Sequence, residues 1–397
     1  MKFILFLSSA LLVTNVSHAA VDGEVAYIFN TFLFIFSGIL VMFMALGFAM
    51  LEAGFVRKKN TSAILLKNIA LYSIAGIMFY LVGYSLMYVD VGGYIGSLGG
   101  MFYNPTSDEL ALLDGAENVD AIVETGYSAP SDWFFQMVFC ATAVSIVSGA
   151  CAERIKVWPF MIFAAVMTGL IYPIFGAWTW GGGWLAEMGF SDFAGSTIVH
   201  SVGGWAALTG CLILGARKGK YSADGKVSPI AGANMPLATL GTFILWFGWF
   251  GFNGGSQLAM GSALDVLAIS IVVVNTNIAA AAGGMVAIIL SQLMFKKIGL
   301  TIAFNGAIAG LVAITAGPEL QTHFMSMIVG GIGGALTTFA IPLMDKFKID
   351  DVVGAIPAHL VAGIWGTLAV GIFGAGSIGV QIVGILAAAV LVVPLSA

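Results

Sequence analysis

The chain has 397 residues, of which 59% are hydrophobic and only 9% are charged, and its formal net charge is −5. Soluble globular domains carry about 25% charged residues, so this composition excludes a soluble enzyme and a nucleic-acid-binding protein. Apolar stretches of about 20 residues recur from end to end, and each can cross a bilayer core roughly 30 Å thick. The sequence therefore predicts a membrane protein with many crossings.

The first segment, residues 1–19, has the features of a secretory signal peptide. Lys2 precedes a short apolar run, and small residues stand before the expected cleavage after Ala19. A first transmembrane helix is the alternative, but the run is short and an acidic stretch begins at Asp22. The mature membrane domain is then 20–397.

Hydropathy and helix-breaking residues predict eleven membrane spans after this segment. They lie near residues 26–53, 62–88, 133–152, 157–178, 193–215, 232–254, 265–292, 300–316, 324–344, 352–373 and 378–395. Backbone groups in lipid must find partners within each span, so we expect every span to be helical. An odd number of cysteines in or beside the spans argues against a disulfide framework. The predicted fold class is an all-α polytopic membrane protein.

Lysine and arginine predict the orientation, because cytoplasmic loops are enriched in them. With the mature N-terminus outside and the C-terminus inside, thirteen of the 15 cations fall in inner loops. These are Arg57, Lys58, Lys59, Arg154, Lys156, Arg217, Lys218, Lys220, Lys226, Lys296, Lys297, Lys346 and Lys348. Lys2 lies in the signal segment, and Lys67 is expected to snorkel to the inner surface from span two.

Acidic residues show the opposite bias. Eight of them, from Asp90 to Asp132, stand in the outer loop between spans two and three. They are either ordinary solvated residues or the source of a negative potential that concentrates cations at the outer face.

Two segments, 192–204 and 351–363, share the pattern D-x-x-G-x4-H-x-V-x-G. They open spans five and ten, so the two halves of the chain are about 26–216 and about 232–374. Because each half has an odd number of spans, the halves enter the membrane from opposite sides, as in the inverted 5+5 repeats of transporters. The last helix, about 378–395, lies outside the repeat.

The repeated pattern places one histidine in each half, His200 and His359. Each follows an aspartate at the expected helix start by eight residues, or about 12 Å. In a core of about 30 Å the two rings would then differ in depth by only about 6 Å. Intramembrane ionisable residues usually line a substrate or proton path, so we predict that this pair does. Asp192 and Asp351 are also suited to capping their helices, and His323 is expected at the surface.

Six motifs resemble the ammonium transporter family (Amt/MEP/Rh), in its bacterial Amt form, across nearly the whole mature chain. They are G-F-A-M-L-E-A-G-F-V-R-K-K-N (47–60), F-F-Q-M-V-F-C (134–140), G-A-C-A-E-R-I (149–155), W-G-G-G-W-L (180–185), D-F-A-G-S-T-I-V-H (192–200) and G-W-F-G-F-N-G-G-S (248–256). The resemblance implies a homotrimer in the bacterial inner membrane that takes up ammonium, with methylammonium as an analogue. It implies no enzymatic activity, cofactor or metal, and a PII-type signal protein as a candidate partner at the cytosolic face.

The resemblance also implies an outer recruitment site formed by Trp180, Ser256 and Phe139, with Phe139 and Phe252 stacked as a gate below it. Aromatic faces attract a small cation by cation–π interaction, worth about 2 kcal/mol once desolvated. A serine hydroxyl can accept one of the hydrogens of ammonium.

Below this gate, the resemblance implies that His200 and His359 form a hydrogen-bonded pair in a narrow apolar pore. Asp192 would support the recruitment site without touching the substrate. A bare cation is costly to move into an apolar pore, so we expect ammonium to lose its proton at the gate and ammonia to pass. Imidazoles can also relay that proton, and the sequence leaves open whether transport is electrogenic.

Two features depart from the family pattern. Glu52 stands near the inner end of span one, where some relatives have an aromatic residue; we expect it to pair with an inner-face cation, the alternative being a place in the inner vestibule. The chain ends at Ala397 without the usual cytosolic tail. We therefore expect a truncated sequence, in which control through the tail and a PII-type protein is in doubt.

Three other functions are weighed against ammonium transport. A gas or methylamine channel of the Rh type is disfavoured because Trp180 with Ser256 suits a charged substrate. An ammonium sensor usually carries an attached signalling domain, which the sequence does not show. A metalloenzyme built on His200 and His359 would need further ligands beside them.

Overall fold

The computed structural model describes residues 22–374 and 376–397, where all regular elements are helices except one isolated β-bridge between Tyr221 and Val227. Eleven helices match the predicted spans: α1 Gly23–Phe55, α2 Lys58–Tyr88, α3 Ala129–Ala150, α4 Val157–Trp178, α5 Ser196–Leu214, α6 Met235–Gly255, α7 Ala263–Phe295, α8 Leu300–Ile314, α9 His323–Lys346, α10 Ile356–Phe373 and α11 Ile378–Leu395. Ten are long and apolar enough to cross a membrane, and α8 is a shorter apolar helix. The predicted all-α polytopic membrane fold is confirmed. The signal peptide predicted at 1–19 lies outside the described residues.

Helix α3 lies at the centre of the bundle. Its side chains from Phe135 to Ala150 are all buried, and it packs against α1, α2 and α5. By contrast, α7 and α11 lie at the periphery, where most of their residues have some exposure. A helix that is apolar on all sides suits the centre of a membrane bundle, because neither face has to meet water. Side chains that α3 contributes are therefore available to line an internal path.

Glycines allow the long helices to cross at short range. A Cβ atom added to Gly241 of α6 would lie 2.3 Å from the backbone nitrogen of Leu51 in α1. A Cβ added to Gly330 of α9 would lie 2.2 Å from the backbone oxygen of Ala279 in α7. Small residues let membrane helices approach closely, which accounts for part of the 52 glycines in the chain.

Ion pairs join four of the loops that the cation pattern assigns to the inner face. Glu153, after α3, pairs with Arg57 at 2.9 Å and with Arg217 at 3.2 Å. Arg217, after α5, also pairs with Asp350 at 2.8 Å, just before α10. Loops from both halves of the chain therefore meet at one end of the bundle, as the predicted orientation requires.

Lys67 does not reach the inner surface as predicted. Its side chain is buried, its Nζ donates to the backbone oxygen of Ser148 at 3.5 Å, and it lies 4.7 Å from the centre of the Phe160 ring. The prediction of snorkelling was wrong, because α2 packs against α3 and α4 at this level and leaves the side chain no route to water.

Candidate functional site

A cavity of about 380 Å³ opens at the predicted outer end of the bundle, and its walls are mostly aromatic. We call it the outer vestibule; it is lined by Phe34, Tyr84, Tyr88, Tyr127, Asp132, Phe135, Gln136, Phe139, Trp180, Phe193, Ser256 and Leu258. The structure thus brings together the three predicted recruitment residues. Ser256 Oγ donates its proton to the backbone oxygen of Phe252 at 2.8 Å, so its lone pairs are left to accept a hydrogen bond.

One of the outer acids, Asp132, belongs to the vestibule wall and not to the solvated loop. Its Oδ2 accepts a hydrogen bond from the Tyr84 hydroxyl at 2.8 Å, and its Oδ1 accepts one from Gln136 at 3.0 Å. The Tyr88 hydroxyl in turn donates to Gln136 at 2.7 Å. The side chain is almost fully buried. Its position supports, for this one residue, the interpretation that the outer acids attract cations.

Stacked phenylalanines close the floor of the vestibule. The rings of Phe139 and Phe252 are 3.9 Å apart between centres and inclined by 23°. The Trp180 ring stands edge-on to Phe139 at 6.0 Å. Both phenylalanines are fully buried. A pair this close leaves no room for a hydrated ion between the rings.

The two histidines meet directly below this pair. Nδ1 of His200 lies 3.3 Å from Nδ1 of His359, and the tautomers decide which one donates. The His200 ring is 5.3 Å from Phe252 and stacks on Trp249 at 4.9 Å. Nε2 of His200 is buried and has no hydrogen-bond partner among the described residues. Among residues 22–374 and 376–397, no three or more His, Cys, Asp or Glu side chains form a cluster that could hold a metal ion.

The repeated D-x-x-G pattern explains how the two histidine helices begin. The Asp192 carboxylate accepts hydrogen bonds from four consecutive backbone N–H groups, those of residues 195–198, at 2.8 to 3.0 Å. Asp351 accepts three, from Val353, Gly354 and Ile356. Gly195 and Gly354 have φ of +109° and +81°, a left-handed conformation that favours glycine. The capping role expected for both aspartates is therefore observed.

The helices nevertheless start later than predicted. Helix α5 begins at Ser196 and α10 at Ile356, and each opens with a wide π-helical turn that contains the histidine. The estimate of about 12 Å of helix before each histidine was therefore wrong, because the aspartates cap from outside the helix. The wide turn places the histidine on the first turn, where π-bulges at functional sites are common.

Asp192 also holds Trp180 in place. The indole N–H of Trp180 donates to the backbone oxygen of Asp192 at 2.9 Å. All four hydrogen bonds to the Asp192 carboxylate come from the backbone, so this side chain is committed to the start of α5. The supporting role that the resemblance implies for Asp192 stays a prediction.

At the inner side of the histidines lies a small cavity that includes both His359 and Glu52. The Glu52 carboxylate accepts hydrogen bonds from Asn68 at 2.7 Å and Ser148 at 2.9 Å. The ion pair with an inner-face cation predicted for Glu52 is absent from the contacts of the described residues, so that prediction was wrong. The alternative, a place in the inner vestibule, is not met in full either: Glu52 lines this small cavity and not the larger cavity at the inner end of the bundle.

Sequence analysis missed several residues of this site. Phe135, Gln136 and Asp132 lie four, three and seven positions before Phe139, on the same face of α3, so helical periodicity could have identified them. Trp249, three positions before Phe252, could have been found in the same way. His323, by contrast, is exposed as expected, and its Nδ1 lies 2.7 Å from Asn275.

Comparison with known proteins extends these findings. A model of the Ammonium Transporter Family matches residues 32–392. Ammonium transporter Amt2 of Archaeoglobus fulgidus is 43% identical over 357 residues, which cover 86% of this chain and 71% of that protein. Among solved structures, a sensor Amt protein has a TM-score of 0.85 and 38% identity, covering 94% of this chain and 93% of the other. Mep2 of Candida albicans has a TM-score of 0.82 and 28% identity, covering 95% and 84%.

Proposed function

The chain belongs to the ammonium transporter family, and from this premise we propose that it binds ammonium in the outer vestibule and conducts it inward as ammonia. The observation that carries the proposal is a continuous line of rings from Trp180 to His359. Successive ring centres are 6.0, 3.9, 5.3 and 5.3 Å apart. The line joins a site for a cation to a site for a neutral hydrogen-bonding molecule.

Recruitment uses the polar groups and the aromatic faces of the vestibule. Asp132 supplies a buried carboxyl group, Phe139 and Trp180 supply ring faces, and Ser256 supplies a hydroxyl acceptor. Each cation–π contact is worth about 2 kcal/mol when desolvated. Alkali ions prefer a shell of oxygen ligands, whereas Phe139 and Trp180 present ring faces, and the oxygens of Asp132 and Gln136 already accept hydrogen bonds within the wall. The site therefore favours ammonium over potassium.

Deprotonation follows from the gate. Ammonium must lose its water to pass the stacked rings of Phe139 and Phe252, and a bare cation in apolar surroundings is costly. Ammonium avoids this cost when it gives its proton to water in the outer vestibule, which leaves neutral ammonia to enter the gate. Ammonia then passes His200 and His359, whose nitrogens donate and accept hydrogen bonds, while the same pair provides a relay for the proton.

A second candidate function is ammonium sensing without significant flux. It is favoured by the likeness to a solved sensor Amt protein over nearly the whole chain. A sensor needs the vestibule to bind ammonium but does not need the inner path to conduct. Flux through the reconstituted protein therefore separates the two functions.

The proposal includes the assembly and location implied by family membership: a homotrimer in the bacterial inner membrane, with one pore per subunit. Native mass spectrometry of the detergent-solubilised protein checks the trimer. A monomer or dimer as the main species would contradict it.

Uptake of radiolabelled methylammonium into proteoliposomes tests the proposed function. We expect uptake above that of protein-free vesicles, inhibited by ammonium and unaffected by an equal concentration of potassium. Uptake no faster than in protein-free vesicles, with ammonium binding intact, would favour the sensor.

A further inference from the structure

Glu52 is a buried carboxylate that neither recruitment nor gating uses. It lies in α1, is fully buried, and uses one oxygen, Oε2, for both of its hydrogen bonds, from Asn68 and Ser148. The other oxygen, Oε1, is buried and has no partner among the described residues. Ionisable residues inside a membrane are expensive and are usually found on substrate or proton pathways.

The unpartnered oxygen lies next to the small cavity on the inner side of the histidines. A Cβ atom added to Gly149, which lines that cavity, would lie 3.2 Å from Oε1. The volume of the cavity is about 10 Å³, which is at the lower limit for one water molecule. Its lining also includes His359 and Phe48. The Phe48 ring is 6.0 Å from the His359 ring, and Glu52 is one helical turn further along α1.

This small cavity continues toward the inner face. Asn305 and Val353 line it together with Glu52, and they also line a second cavity of about 360 Å³. We call this second cavity the inner vestibule; Arg217 and Lys220 lie in its wall. Glu52 therefore lies between the histidine pair and a space at the end of the bundle where the inner loops meet.

The two hydrogen bonds to Oε2 do not by themselves require an acid at this position. A glutamine of the same shape would accept both hydrogen bonds through its carbonyl oxygen and would avoid the cost of a buried charge. What the acid adds is a charge opposite to that of the buried Lys67 and a proton-accepting oxygen facing the cavity. The other ionisable groups around it are Lys67 of α2, held by the Ser148 backbone, and His359 of α10.

We propose that Glu52 is the proton acceptor at the inner end of the pathway, an inference that rests on the function proposed above. The His359 imidazolium gives its proton across the small cavity to the Glu52 carboxylate, which leaves a neutral imidazole and a carboxylic acid. The acid then releases the proton to water in the inner vestibule and returns to the carboxylate. Ammonia arrives by the same pore and takes up a proton there, so one ammonium is transferred in total.

The test separates charge movement from ammonia flux in proteoliposomes. Currents on a solid-supported membrane after an ammonium chloride pulse report the proton, and an internal pH dye in a stopped-flow instrument reports ammonia. We expect Glu52→Gln to lower the current by about 100-fold, the usual weight of a proton-transfer group, and to leave the ammonia flux unchanged. A wild-type current in Glu52→Gln would overturn the proposal.

Two further variants guard against a structural explanation. Ser148→Ala removes one hydrogen bond to Oε2 but keeps the acid, so we expect it to retain the current. Glu52→Asp keeps an acid on a shorter chain and should retain a reduced current. Loss of current in Ser148→Ala as complete as in Glu52→Gln would show that packing, not proton transfer, is responsible, and would overturn the proposal.

If Glu52→Gln does not fold, infrared difference spectra of the wild type decide instead. Ammonium should induce a carboxylic-acid band that shifts in Glu52→Asp; absence of such a band would overturn the proposal. The wild-type protein also separates this inference from the proposed function. If the wild type shows ammonia flux but no current, only the proton path is contradicted. If it shows neither ammonia flux nor current, the proposed transport function is contradicted as well.

Discussion

At the scale of single residues, the contact between His200 and His359 is the feature on which conduction depends. Each ring gives the other a hydrogen-bond partner in a buried space, so truncating one leaves a buried nitrogen unpaired, at a cost of about 1–3 kcal/mol. A bundle with this much buried surface should tolerate that cost. We expect His359→Ala to remain folded and to lose methylammonium uptake.

Thermal unfolding in detergent, run beside the uptake assay, checks that the variant is folded. Wild-type uptake by a folded variant with alanine at both positions would remove the histidines from the mechanism.

In the proposed function, Ser256 contacts the substrate before the gate and so contributes to affinity and not to rate. We expect Ser256→Ala to raise the half-saturation concentration for methylammonium about fivefold, the equivalent of a hydrogen bond of about 1 kcal/mol. Ser270→Ala is a matched control, since Ser270 makes the same type of hydrogen bond to the backbone four residues earlier but lies on an exposed face of α7. An unchanged half-saturation concentration in Ser256→Ala would count against recruitment.

Residues of the site were predictable only where a motif marked them. Trp180, Ser256 and the two histidines stand in motifs, and the structure brings each to the path. Asp132 was counted with the loop acids because the start of α3 could not be located to within one turn. That error moved its carboxylate from the vestibule wall to the solvent.

At the scale of elements, the aspartate caps determine the position of the histidine turns. Asp192→Asn leaves one acceptor oxygen for four backbone N–H groups and places the side-chain NH₂ group opposite N–H groups that also donate. We expect this loss of hydrogen bonds to lower the free energy of unfolding by about 3 kcal/mol. Because Trp180 is held by the backbone oxygen of Asp192, we also expect weaker methylammonium binding.

Asp351→Asn is the matched control from the other half of the chain. It should lower the unfolding temperature to a similar extent and leave the half-saturation concentration unchanged, since Trp180 has no contact with that cap. Equal effects of the two substitutions on half-saturation would contradict the role assigned to Asp192.

Glu153 connects the inner loops and makes the free energy of unfolding depend on pH. Burial opposes its ionisation, but hydrogen bonds from Arg57, Asn60 and Arg217 outweigh this and lower its pKa from 4.5 to about 2. The folded state therefore binds fewer protons than the unfolded state. The resulting stabilisation is fully present above pH 4.5 and is lost as the pH falls toward 2.

We expect the unfolding temperature of the wild type to fall across this pH window, and that of Glu153→Gln to be lower at pH 7 and to change less with pH. Glu187→Gln, at an exposed carboxylate on the outer side, serves as the control. Parallel pH profiles for wild type and Glu153→Gln would contradict the assignment.

Helix boundaries show why elements were only partly predictable. Hydropathy located all eleven helices within a few residues, because each needs about 20 apolar residues to cross the bilayer. It could not reveal the π-helical turns at His200 and His359. Those turns depend on a carboxylate that accepts hydrogen bonds from backbone N–H groups two to six residues further along the chain, and on a glycine with positive φ. A one-dimensional pattern does not record either feature.

At the scale of the whole molecule, the meeting of the cationic loops at one end of the bundle was predictable from charge, and the burial of individual polar groups was not. The cations lie in loops that the ion pairs gather at one end. Lys67 and Glu52 were both assigned to the inner surface because a single helix offers them that route. Neighbouring helices close the route, and only tertiary packing shows it.

The central claim is that the bundle contains a path selective for ammonium. This path follows the line of rings from Trp180 through Phe139 and Phe252 to the histidine pair. The most direct test is to pulse reconstituted protein on a solid-supported membrane with ammonium and then with potassium at equal concentration. We predict a current for ammonium and none for potassium, with the ammonium current lost when both histidines are replaced by alanine. Equal currents for the two ions would contradict the account.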